Sequence, residues 1–170
     1  MAAWRYGLLG PVEVRVDGRA IPPPGARQRL VLTMLLVDRN RVVPAGRPID
    51  ELWDAALPAD PRGALRTQVS RLRRALGPAG GDLATVEGGY CLTVQRDQLD
   101  ATRFEDTLAE AAQASSEQAL TLIDEALALW RGPGPLVSRL ILPPGRTHAR
   151  AFPGIAGVAV SGHERSERRI

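Results

Sequence analysis

The sequence predicts an α+β winged helix-turn-helix, followed by an all-α helical hairpin and an irregular tail. Three observations carry that prediction. Short alternating apolar segments at the start give way to three helical segments, and then to a second pair of strands around Gly88-Gly89. The third helical segment, Pro61 to Leu76, carries Arg62, Arg66, Arg71, Arg73 and Arg74 and no acidic residue. From Asp97 onward the texture changes to acidic, alanine-rich helix.

In chain order, Trp4 to Leu9 and Val12 to Val16 read as two strands, the second alternating Val12, Val14 and Val16 with Glu13, Arg15 and Asp17. Asp17-Gly18 is a two-residue hairpin turn, and Arg19 to Pro22 forms a short edge strand that the prolines Pro22 to Pro24 stop. Ala26 to Asp38 is a core helix with Leu30, Val31, Met34, Leu35 and Val37 inward, ended by Asn40. Val42-Val43 leads into a helix over 45–54, in which Ile49, Leu52 and Trp53 are apolar and Trp53 is assigned to the core. Asp60 then caps the arginine helix with Pro61 as its first residue. Gly77-Pro78 and Gly80-Gly81 end that helix, after which Leu83 to Glu87 and Tyr90 to Val94 form the wing hairpin. Two further helices, 100–114 and 117–130, are expected to pack antiparallel, with Phe104, Leu108 and Ala111 facing Leu120, Ile123, Leu127 and Trp130. The resulting expected domains are 1–96, 97–133 and a disordered tail over 134–170, where Gly, Pro and Arg mix without period.

Within the arginine helix, Leu65, Val69, Leu72 and Leu76 form a single stripe at helical spacing. At about 100 degrees per residue, Gly63, Thr67, Ser70 and Arg74 fall opposite that stripe, flanked by Arg66 and Arg71. Small residues permit close approach to base edges, while guanidinium groups grip phosphates or guanine, so this face suits a DNA groove. Arg62 and Arg73 sit nearer the stripe, where pairing with a carboxylate such as Asp50 or Glu51 competes with a DNA contact. Gly88, Gly89 and Tyr90 stand at the wing, although a ring in the position of Tyr90 is more often packed against the sheet.

All 22 basic residues are arginine, and the formal net charge of +3 conceals an asymmetry. The basic helix is followed by Asp97, Asp100, Glu105, Asp106, Glu110, Glu117, Asp124 and Glu125, with only Arg103 among them. A DNA-facing part joined to a part that meets another partner fits this distribution. A single cysteine, Cys91, excludes an intrachain disulfide and points to a reducing cytoplasm. No stretch is long and apolar enough for a membrane span. Nothing suggests an enzyme, a cofactor or a metal: His148 and His163 share no ligand spacing with each other or with Cys91, and no phosphate-binding glycine loop is present.

The runs RYGLLGPVEVRVDGR, ARQRLVLTMLL, RVVPAGRPIDELW, PADPRGALRTQVSRLRRALGP and VEGGYCLTV resemble the Streptomyces antibiotic regulatory protein family of transcriptional activators. The likeness extends through DQLDATRFEDTLAEA and LIDEALALWRGP, which are similar to the start of a bacterial transcriptional activation domain, a tetratricopeptide-like helical array. The resemblance implies an OmpR-type winged helix that reads promoter direct repeats as head-to-tail pairs and recruits RNA polymerase. Arg66, Thr67, Ser70, Arg71 and Arg74, with Gly88, Gly89 and Tyr90 at the wing, would face DNA. After WRGP the sequence departs from the family's acidic helices into an arginine- and proline-rich stretch, which is expected to mark a truncated activation region. The resulting expectation is a pathway-specific activator of secondary-metabolite genes. A protein-interaction module or a nonfunctional truncated regulator are the alternatives, and steep loss of DNA affinity with salt separates the first from the second.

Overall fold

The computed structural model describes residues 4–21, 23–53 and 56–134; the tail expected to be disordered lies, apart from residue 134, outside them. These residues divide into two compact units. The first takes in the described parts of Met1–Tyr6 and Val12–Gln95, the second those of Gly7–Pro11 and Arg96–Ile170.

In the first unit, β1 (Trp4–Gly7), β2 (Glu13–Val16) and β3 (Arg19–Ile21) form a sheet in that order. Val16 pairs with Arg19 across the turn, where Asp17 and Gly18 both take positive φ, 48° and 81°, the geometry that a two-residue turn demands of twisted strands. Helix α1 (Ala26–Val37) is the core of the unit, with every residue from Val31 to Val37 buried. This is broader burial than a single stripe: Leu32 and Leu36 are as enclosed as Met34. α1 packs on α2 (Gly46–Leu52), on α3 (Pro61–Leu76) and on the wing strand over Gly89–Leu92.

The second sheet has the order β4-β6-β5, from β4 (Val43–Pro44), β5 (Leu83–Val86) and β6 (Gly89–Leu92). The two-residue β4 was not separated from the helix that follows it by sequence pattern. Its pairing with the wing, Val43 opposite Tyr90 and Pro44 opposite Gly89, draws the helix-turn-helix and the hairpin together. Asn40, at φ 61°, extends this edge: its side chain donates to the Val94 carbonyl and accepts from the Val94 amide, each at 2.9 Å.

In the second unit, α4 (Asp100–Ala111) and α5 (Ser116–Ala128) pack together. Phe104 is fully buried, and the Trp130 ring meets it edge-on at 6.4 Å. Of the residues of α5 assigned inward by spacing, Leu120, Ile123 and Leu127 lie outward at 67%, 38% and 47% exposure. Ala126 is the residue that packs inward. Apolar residues occupy more than one face of α5, so two stripes fit the helical period, and the small alanine permits the closer approach.

The segment expected to continue the first strand is instead bound into the second unit. The amides of Leu8 and Leu9 donate to the two Asp100 carboxylate oxygens at 2.7 and 3.0 Å, and Arg131 Nη2 donates to the same carboxylate at 2.9 Å. The Arg131 amide donates to Leu9 O at 2.7 Å, and its guanidinium reaches Pro11 O at 3.1 Å. Gly10, at φ 142°, makes this approach possible, since a Cβ there would stand 2.8 Å from that of Arg131.

Candidate nucleic-acid interface

Helix α3 begins as its sequence dictates: the Gly63 amide donates to Asp60 Oδ1 at 2.8 Å, and Pro61 occupies the first turn without a wasted donor. Leu65, Val69, Leu72 and Leu76 are all buried, so the stripe read from the sequence is the face that holds the helix to the core. Gln68, on the flank of that stripe, is also buried and accepts from Gln28 Nε2 of α1 at 2.6 Å, a polar pin that fixes the helix against rotation. Spacing gave no sign of this pair.

The opposite face carries Arg66, Thr67, Ser70, Arg71 and Arg74, all exposed, and Arg62, nearer the stripe, is exposed as well. Arg66 has a loose ion pair with Asp60 at 3.8 Å, both side chains about 70% exposed, which constrains it little. Thr67 Oγ1 donates to Gly63 O at 3.0 Å, leaving its methyl and its acceptor lone pairs outward. A helix with small hydroxyl residues along its centre and arginines on both sides can enter the major groove and reach base edges.

Arg73 does something else. Its Nε donates to Leu83 O and its Nη2 to Thr85 Oγ1, both at 2.8 Å, so it braces β5 and pairs with neither Asp50 nor Glu51. At about 80 degrees from the stripe, the side chain lies over the wing. Its assignment to a DNA contact gives way to a bracing role.

At the wing, Glu87-Gly88 is the turn, and Gly88 is exposed at φ 78°. Gly89 is buried, and a Cβ there would meet Val43 O at 2.1 Å, so this glycine serves the β4 contact. Tyr90 is 6% exposed and packs in the sheet between Val43 and Thr85. Both were expected to touch DNA, and neither is placed to do so as the chain stands. The wing also carries no arginine from Leu83 to Leu92, and Glu87 at its tip is acidic. The wing hairpin therefore adds no arginine to the cationic face of α3.

Trp53, expected in the core, is half-buried because α2 stops at Leu52; the Arg27 guanidinium stands over its ring at 5.7 Å. Tyr6 is 3% exposed, and its hydroxyl has no hydrogen-bond partner. Burial, then the nearby Asp82 charge, pushes it up to about 12. Among the described residues, no group of His, Cys, Asp and Glu is placed to hold a metal ion, and no helix is long and apolar enough to cross a membrane. His148 and His163 lie outside those residues.

No family model matches the chain. It is 39% identical over 136 residues to the transcriptional regulatory protein EmbR of Mycobacterium tuberculosis, covering 75% of this chain and 35% of EmbR. With the transcriptional regulatory protein MoaR1 of the same organism it shares 36% over 140 residues, 77% of this chain and 45% of MoaR1. With the regulatory protein AfsR of Streptomyces griseus it shares 36% over 143 residues, 78% of this chain and 14% of AfsR. The solved structure of M. tuberculosis EmbR in complex with a low affinity phosphopeptide superposes with a TM-score of 0.75 at 31% identity, covering 97% of this chain and 43% of that one. The chain thus spans less than half the length of each of these relatives. These relatives are regulators of the Streptomyces antibiotic regulatory protein family, to which this chain is similar over about three quarters of its length, and the winged-helix fold is shared with the EmbR structure.

Proposed function

We propose that this protein is a sequence-specific, double-stranded-DNA-binding transcriptional regulator, with α3 as the helix that enters the major groove. The observation that carries the reading is the outer face of α3, where Arg66, Thr67, Ser70, Arg71 and Arg74 are exposed together with no acidic residue on the helix, while the other face is locked to the core. Thr67 and Ser70 read bases, and Arg71 and Arg74 anchor the helix on guanine or phosphate. Gly88 approaches the backbone at the wing. Head-to-tail pairs on promoter direct repeats and a cytoplasmic location follow from the family.

The second unit is the contact for RNA polymerase in this reading, which makes the protein an activator of secondary-metabolite genes. The outward ridge of Leu120, Ile123 and Leu127 supports the view that α4 and α5 are the first pair of a repeat array, since one hairpin of such an array cannot cover its own outer face. That ridge is also what favours the second reading, a protein-interaction module.

The experiment is retention of sheared genomic DNA by the purified chain at about physiological salt, followed by sequencing. Enrichment of promoter fragments that share a direct repeat is expected. Retention without sequence preference, or affinity indifferent to salt, would overturn the reading.

A further inference from the structure

Arg27, Arg71 and Arg74 line one open cleft of about 680 Å³ between residues 24–28 and the flank of α3, with Gln28 and Gln68 among its walls. All three arginines are exposed, and among the described residues none of them forms an ion pair. Three like charges facing one space repel each other, and an anion seated between them relieves that repulsion. The arrangement is held in advance: Trp53 supports the Arg27 guanidinium, and the Gln28 to Gln68 hydrogen bond fixes α1 to α3 beneath the cleft.

We propose that this cleft seats a backbone phosphate of the DNA whose bases α3 faces, with Arg27 as a phosphate contact supplied from α1. Arg74 stands on the centre line of the outer face of α3 and also lines the cleft, so an anion held there lies beside whatever α3 reads. The wing cannot serve in its place, because its tip carries Glu87 and its strands carry no arginine. The inference rests on the DNA-binding reading and names the side of α3 on which one strand is gripped. Sequence pattern passed over Arg27, which stands in the first turn of a helix read only for its core.

The test uses the whole chain and a mixed-sequence duplex of about three helical turns. Arg27→Gln is expected to reduce the slope of log affinity against log salt by about 0.9, the share of a single neutralised phosphate, without altering which sequences are selected. Arg27→Lys is expected to keep the slope, and Arg19→Gln, on the exposed β3, to change nothing. On the unaltered protein, the duplex is expected to protect Arg27 from phenylglyoxal while inorganic phosphate at matched ionic strength does not. That footprint decides the matter if Arg27→Gln fails to fold. An unchanged slope in folded Arg27→Gln, Arg27 as reactive as Arg19 in the complex, or equal protection by phosphate alone would overturn the proposal. In each case Arg71→Gln and Arg74→Gln still weaken binding; if the unaltered chain shows no salt-dependent binding at all, it is the DNA reading itself that has failed.

Discussion

Helices α3 and α5 are both amphipathic, and each turns one face to water, but they expose opposite chemistry. α3 presents arginines and small hydroxyl residues, whereas α5 presents Leu120, Ile123 and Leu127. Hydrated guanidinium groups carry no desolvation penalty while they wait for a polyanion. Leucines do, since covering one fully contributes about 1.5 to 3 kcal/mol. The first unit ends in a finished surface with a use, and the second ends in a surface that gains stability from cover.

The largest effects test whether each helix is held by the face described. Phe104→Ala is expected to cost the second unit about 4 kcal/mol and Leu72→Ala the first about 3, since both side chains are fully buried. Urea unfolding followed by tryptophan fluorescence and by circular dichroism would show whether each change moves one transition or both. A common shift of all signals would erase the distinction between the units.

Next comes the outer face of α3. Arg71→Ala and Arg74→Ala are each expected to weaken the selected DNA by roughly 1 to 3 kcal/mol where they contact guanine, with relaxed choice at one base pair. Their effect on unfolding should stay within about 0.5 kcal/mol. Equal losses on every sequence for both would remove base reading by arginine from the comparison.

Alkali should act on the first unit alone. The folded state holds the Tyr6 proton up to about 12 while the unfolded chain releases it near 10, so the folded form binds more protons between those values. Stability is then complete below pH 10 and falls as pH rises towards 12, by about 2 kcal/mol at most. Tyr6→Phe should flatten this decline in a pH series of unfolding curves, and a decline that persists would assign it to another group.

Smaller effects separate neighbours on the same helix. Arg73→Ala is expected to cost about 1 kcal/mol of stability by removing its hydrogen bonds to β5, unlike Arg71 and Arg74. Leu120→Glu and Leu127→Glu should change the stability of the isolated chain by less than about 0.5 kcal/mol, because both are outward already. If either unfolds the hairpin, the ridge is covered from within the chain.

Much of this was legible in the sequence because it is local. The stripe of α3, the Asp60-Pro61 start and the Asp17-Gly18 turn follow from period and turn chemistry, and the exposed arginines follow from the stripe. What was not legible depends on partners far along the chain. β4 is a strand only because Gly89 and Tyr90 lie beside it, and the same pairing buries the two wing residues assigned to DNA. Arg73 faces β5 rather than a carboxylate for a similar reason. On α5 the failure was one of degeneracy, since two apolar stripes satisfied the same spacing and only packing on α4 chose between them.

The bonds from Leu8, Leu9 and Arg131 to Asp100 have a consequence for inheritance. The chain leaves the first unit at the last residue of β1, spends residues 7–11 in the second, and returns for β2. A recombination point at Gln95 would separate Asp100 from the two amides it receives, so exchange of the second unit between relatives must carry a short piece of the distant amino-terminal sequence with it.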